Sequence, residues 1–154
     1  MAEEQQPSFQ IEKIYVKDVS LEIPGAPQVF LEAQGPQLEI QVRNESAQFA
    51  DGLYEVAVTV TVTAKAGEKT LFLAEAAQAG IFSVRGVPQE DLEPLLAVAC
   101  PTILYPYARE TISDLVTRGG FPPVLLAPVS FEALYAQRMQ QQQAAAGPRI
   151  EVAS

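Results

Sequence analysis

The chain of 154 residues has no histidine, no tryptophan and a single cysteine. Without histidine there can be no histidine-based triad, general base or metal ligand. Cys100, being alone, can form neither an intrachain disulfide nor a cysteine-rich zinc site. A lone thiol is ordinary in a reducing cytosol, so a cytoplasmic location is expected. No uncharged apolar run reaches the ~18 residues of a membrane span. The longest candidate, Leu95 to Ala108, is broken by Pro101 and Pro106 and closed by Arg109 and Glu110. Met1 to Pro7 is acidic and polar, lacking the basic start and apolar run of a signal peptide. Direct membrane insertion is not expected. Positive charge is also scarce: 10 basic residues stand against 19 acidic ones, a net charge of −9. Nucleic acid and anionic lipid are repelled by such a chain, and a basic partner segment is favoured.

What is present suits one folded domain: 48% hydrophobic and 19% charged residues. Phe9 to Ile23 alternates as a strand, with Phe9, Ile11, Tyr15, Val19, Leu21 and Ile23 on one parity. Ile14 and Val16 fall on the other, polar parity, which predicts that the strand's centre is covered on both faces. Pro24-Gly25-Ala26-Pro27 stops the strand, and an irregular connection with Val29, Phe30 and Leu31 runs to Pro36. Leu38, Ile40 and Val42 mark a second strand. Tyr54, Val56, Val58, Val60 and Val62 mark a third, opposed by Glu55, Thr59, Thr61 and Thr63. After a turn at Lys65-Ala66-Gly67-Glu68, Thr70 to Val84 returns as a fourth, with a bulge expected at Gly80.

The pattern then turns helical. Gln89 to Ala97 predicts a short helix. Pro101 and Pro106 are expected to bracket the start of a longer one with a Leu104, Ala108, Ile112 and Leu115 stripe, capped by Gly119-Gly120. The apolar, proline-rich run Phe121 to Val129 is not helical. Ser130 caps a last helix bearing Phe131, Leu134, Tyr135 and Met139, which Gly147-Pro148 should end. Four strands followed by helices predict an α+β domain, a four-stranded antiparallel sheet with two main helices on one side.

Little of this is catalytic. Asp18 and Glu22 lie four apart on a strand, about 13 Å at ~3.3 Å per residue, whereas carboxylates sharing one bond sit roughly 5–10 Å apart. They read as a solvated acidic face or as a patch that docks a basic partner. Gly119-Gly120 follows a helix and lacks a phosphate-loop pattern. Cys100 reads as a packing residue. Neither an enzyme nor a cofactor is expected, and no catalytic or metal-binding residue is assigned. The apolar segments around Phe30 and around Val124 to Leu126 leave two readings open: they cover the core, or with the last helix they form a greasy groove.

Phe9 to Ser20 followed by Pro24 to Phe30, then Gly80-Ile81-Phe82-Ser83, Cys100 to Glu110, Gly119-Gly120-Phe121-Pro122-Pro123, Leu126 to Phe131 and Ala133-Leu134-Tyr135, resemble the SecB protein-export chaperones over residues 9 to 143. The resemblance implies a homotetramer built as a dimer of dimers, with first strands paired across the dimer. It implies unfolded preproteins as clients, passed to the translocase ATPase SecA without use of ATP by the chaperone. Carried over, the client groove takes Phe30, Leu38, Ile40, Val42, Val124, Leu126, Leu134 and Tyr135. The SecA contact takes Asp18, Glu22, Leu73 and Glu75. Many relatives carry tryptophan near Gln34, and this chain has none. Residues 1–8 are expected to be a flexible N-terminus and 144–154 a mobile tail. A SecB-like chaperone dedicated to a toxin–antitoxin system would share these features.

Overall fold

The computed structural model describes residues 6–31 and 35–152. Four strands, β1 (Ser8–Glu22), β2 (Gln37–Ala50), β3 (Leu53–Ala66) and β4 (Lys69–Arg85), form one antiparallel sheet in the order β1-β4-β3-β2. Helix α1 (Gln89–Pro94), a π-turn (Leu95–Ala99) and α2 (Cys100–Arg118) follow one another without a break and pack on one sheet face. A segment without regular structure leads to α3 (Phe131–Val152).

The core is the sheet's inner face. Val56, Val58, Val60 and Val62 of β3, with Ala74 and Ala76 of β4, meet Leu104, Ala108, Ile112 and Val116 of α2. The helix stripe thus closes on Val116, and Leu115 is partly buried. Gly80 marks no bulge. It marks a close approach, because a Cβ there would lie 3.0 Å from Leu104 Cδ2 and 2.9 Å from Phe82 Cε2.

The strand β1 corrects the expectation from its parity. Register shifts between Ile11 and Lys13 and between Val16 and Asp18 each insert a residue, and each reverses the facing of the residues beyond it. Ile14 pairs with Gly80 and Val16 with Gln78, so both join Phe9, Ile11, Val19 and Leu21 on the inner face, while Tyr15 turns outward. The strand is therefore apolar on one face, and its centre needs no second cover. Gln78, 3% exposed, sits beside the second shift. Its Nε2 donates to the carbonyl of Tyr15 at 3.2 Å, and its Oε1 accepts from Thr111 Oγ1 at 2.9 Å. The amide ties strand to helix and leaves no buried polar atom unpaired there.

Other boundaries also differ from expectation. Strand β2 runs on to Ala50 and turns at Asp51-Gly52, a two-residue hairpin that needs φ +68° at Gly52. Pro101 and Pro106 lie inside the helical run that began at Gln89, the π-turn taking up the interruption. The last helix continues through Gly147-Pro148 to Val152. The caps agree with expectation. Ser130 Oγ accepts from Ala133 N at 3.1 Å, and Gly120 at φ +90° closes α2 with Gly120 N bonded to Thr117 O and Phe121 N to Val116 O. No described helix is long and apolar enough to cross a membrane.

Candidate functional site

A row of three aromatic rings builds one end of an apolar trough on the helix side of the sheet. Phe30, on a 3-10 turn (Gln28–Leu31), lies 5.3 Å from Phe121, which lies 4.8 Å from the buried Phe72 of β4. A cavity of about 340 Å³ opens beside them, walled by Val29, Phe30, Leu38, Phe121, Pro123 and Val124. From Leu38 the inner face of β2 continues through Ile40 to Val42. Strand β2 is an edge of the sheet, so Leu38 and Ile40 stay exposed, while Val42 packs partly against the core.

The segment between α2 and α3 is held down by alternate residues. Val124 and Leu126 are buried in the core, whereas Leu125 between them is 83% exposed. Tyr105 Oη donates to the carbonyl of Ala127 at 2.6 Å, and its ring meets Phe131 edge-on at 5.7 Å. On α3, Phe131 is buried, Leu134 is 37% exposed and Tyr135 is half-buried, all on one face by helical spacing. One turn on, Arg138 Nη2 donates to Asn44 Oδ1 of β2 at 3.3 Å.

Phe30, Leu38 and Val124 thus meet around one cavity, with Ile40 and Val42 in line along β2. Leu126 packs beneath the connecting segment, and Leu134 and Tyr135 stand on the helix above. The position near Gln34 lies outside the described residues. Tyr105, Asn44 and Arg138 carry no signal in the sequence, because each acts through hydrogen bonds to residues far along the chain. Cys100 is fully buried, and burial pushes its thiol up to about 12, which suits packing and not reactivity.

The opposite sheet face is polar. Glu22 pairs with Leu73 and Ser20 with Glu75, and Asp18 lies one outward position before Ser20, so Asp18, Glu22, Leu73 and Glu75 form one patch. Thr61 Oγ1 donates to Glu75 Oε2 at 2.7 Å. Further along, Tyr15 Oη and Lys17 Nζ both donate to Glu55, the lysine at 2.6 Å. Those bonds, the lysine's first, hold the Glu55 carboxyl below the usual carboxylate range. Burial and the same carboxylate push Tyr15 up to about 12.

An open antiparallel sheet backed by helices, with an apolar trough beside the last one, is the fold of SecB-like chaperones. A SecB-like chaperone of Mycobacterium tuberculosis, solved with a peptide from an antitoxin, superposes with a TM-score of 0.66 at 22% identity, covering 79% of this chain and 91% of that one. The chain belongs to the SecB family. Residues 2–142 match the family described as "Preprotein translocase subunit SecB". It is 63% identical over 146 residues to the protein-export protein SecB of Methylobacillus flagellatus, covering 95% of this chain and 93% of the relative. It is 62% identical over 144 residues to that of Chromobacterium violaceum, covering 92% and 96%.

Proposed function

We propose that this chain is a protein-export chaperone that holds unfolded precursor proteins in its apolar trough and passes them to SecA. The observation that carries the reading is the trough itself: Phe30 and Leu38 keep apolar surface exposed at a cavity, Ile40 continues it along β2, and Leu134 stays exposed on α3. The chaperone does no chemistry. Binding an unfolded state and not the native one delays folding by mass action, without ATP. Burying four large client side chains would contribute roughly 6–12 kcal/mol gross. Ordering the client cancels several kcal/mol of that. One trough therefore binds weakly, and a client long enough to reach several gains through effective concentration.

Several troughs require several chains. Strand β1 is an open sheet edge, and Phe9, Ile11, Val16, Val19 and Tyr107 stay exposed around it and on α2. That surface supports pairing through β1 and packing through α2, a homotetramer built as a dimer of dimers. The patch of Asp18, Glu22, Leu73 and Glu75 would meet SecA. Four chains would carry four times −9, which steers a basic partner segment at low salt. Cytoplasmic location and the domain limits 9–143 belong to the same reading.

The test is direct, because this chain has no tryptophan and any tryptophan signal comes from the client. An unfolded precursor containing tryptophan is mixed with the protein and followed by fluorescence and by size exclusion with light scattering. Retention of the unfolded precursor on a tetramer, with slowed refolding, supports the proposal. A precursor that folds and elutes at its free rate ends it. Capture from the native cell separates an export holdase, which retains many precursors, from a chaperone dedicated to one antitoxin.

A further inference from the structure

The helical run from Gln89 to Arg118 contains a carbonyl that its own α-helical pattern cannot satisfy. The oxygen of Ala97, in the π-turn, has Pro101 four positions on, which has no N–H, so the α-helical bond cannot form there. The sheet supplies a side-chain donor: Asn44 Nδ2 lies 3.3 Å from Ala97 O. An amide that turns its NH2 to a carbonyl turns its oxygen the other way. Here that oxygen accepts from Arg138 of α3 at 3.3 Å. One half-buried side chain on β2 joins the π-turn, the sheet and the last helix.

Its position in the trough is telling. Asn44 follows Leu38, Ile40 and Val42 on the same face of β2, and Arg138 follows Leu134 and Tyr135 on the same face of α3. Beyond Asn44 the strand's inner face turns polar with Ser46 and Gln48. These two residues line a second depression, about 420 Å³, with Arg138 on its wall. The bond therefore lies where the apolar floor of β2 ends, opposite the Leu134–Tyr135 turn of α3.

We propose that Asn44 is a positioning residue, whose amide is oriented by the carbonyl of Ala97 in the π-turn and docks α3 through Arg138, fixing the width of the trough. The inference rests on the reading of the trough as the client site. It also makes the amide's polarity matter. Aspartate at 44 keeps Arg138 but turns an oxygen towards the carbonyl of Ala97, whereas leucine loses both partners.

The test uses the full chain and two readouts: hydrogen exchange of α3 in the free protein, and affinity for an unfolded precursor. Arg138→Ala should lower α3 protection about 5-fold. It should weaken client binding about 3–10-fold by loss of preorganisation. Asn44→Asp should lower the melting temperature yet keep α3 protected, and Asn44→Leu should lose both. In the double variant Asn44→Ala/Arg138→Ala the effects on protection should fall well short of additive. Unchanged α3 protection in Arg138→Ala, or full additivity, overturns the proposal. If the wild type holds no unfolded protein while Arg138→Ala still loses protection, the docking of α3 stands and the reading of the trough as client site fails.

Discussion

The phenol of Tyr105 donates a 2.6 Å hydrogen bond to the carbonyl of Ala127, fastening the segment between α2 and α3 to the helix beneath it. Tyr105→Phe keeps the buried ring against Phe131 and leaves that carbonyl without its donor. Stability should fall by about 1–2 kcal/mol. Denaturant unfolding measures the loss, and exchange at residues 124–130 should rise more than in the sheet.

Neighbouring leucines in that segment should behave oppositely. Leu126 is 2% exposed, so Leu126→Ala removes core volume and should cost about 2–5 kcal/mol. Leu125 is 83% exposed, and Leu125→Ala should stay within about 0.5 kcal/mol. Leu134→Ser removes apolar surface from the trough and should weaken client binding about 10-fold with little change in melting temperature. Calorimetry with an unfolded precursor checks the contrast, and unchanged affinity in Leu134→Ser would count against α3 as a trough wall.

The Tyr15–Glu55–Lys17 cluster predicts a stability plateau with two different edges. Glu55 titrates below its ordinary value, so its contribution is present above the usual carboxylate range and is lost as pH falls through the lowered pKa. Lys17 and Tyr15 titrate above theirs, so their contribution is present below the ordinary values and is lost as pH rises, for Tyr15 towards about 12. Glu55→Gln should lower the melting temperature at neutral pH, with a difference that shrinks in acid. By ultraviolet titration the same substitution should bring Tyr15 part of the way down, since burial is the larger cause of its shift.

Charge reversal on the outer face separates docking from holding. Asp18→Lys and Glu75→Lys should weaken SecA binding and flatten its salt dependence, while the affinity for unfolded precursor persists. Binding of both variants at wild-type strength in low salt would dismiss the patch.

Assembly should depend on the exposed inner face of β1. Val16→Asp with Tyr107→Ser places charge and lost contact area on that surface. Light scattering should show the mass drop from four chains to a smaller species, with the far-ultraviolet spectrum retained.

Much of this architecture is legible in the chain. Strand β3 declares its faces because valines and threonines alternate without interruption from Val58 to Thr63. The caps at Gly120 and Ser130 are local chemistry and are readable as such. Strand β1 misleads because two single-residue shifts reverse its parity twice, and simple alternation cannot register an insertion whose partner is Gln78, more than sixty residues on. The far half of β2, Asn44 to Ala50, carries no large apolar alternation, so only the Asp51-Gly52 pair itself, a hairpin dipeptide, marks where the strand turns. In the trough, Phe30 and Leu38 stand out as apolar residues in or beside irregular backbone. Whether Val124, Leu125 or Leu126 faces inward is set by the Tyr105 bond and by packing, which the run of apolar letters does not encode.

The glycine pair that closes α2 limits how the trough can be altered. A Cβ on Gly119 would sit 2.9 Å from Leu21 Cδ2, and one on Gly120 would sit 3.1 Å from Phe30 Cε1. Bare main chain therefore shapes this end of the channel, where no larger residue fits without shifting the aromatic row. Any retuning of client preference, by selection or by design, must come from the open stretch of β2 and the facing helix, leaving the aromatic end as a fixed anchor.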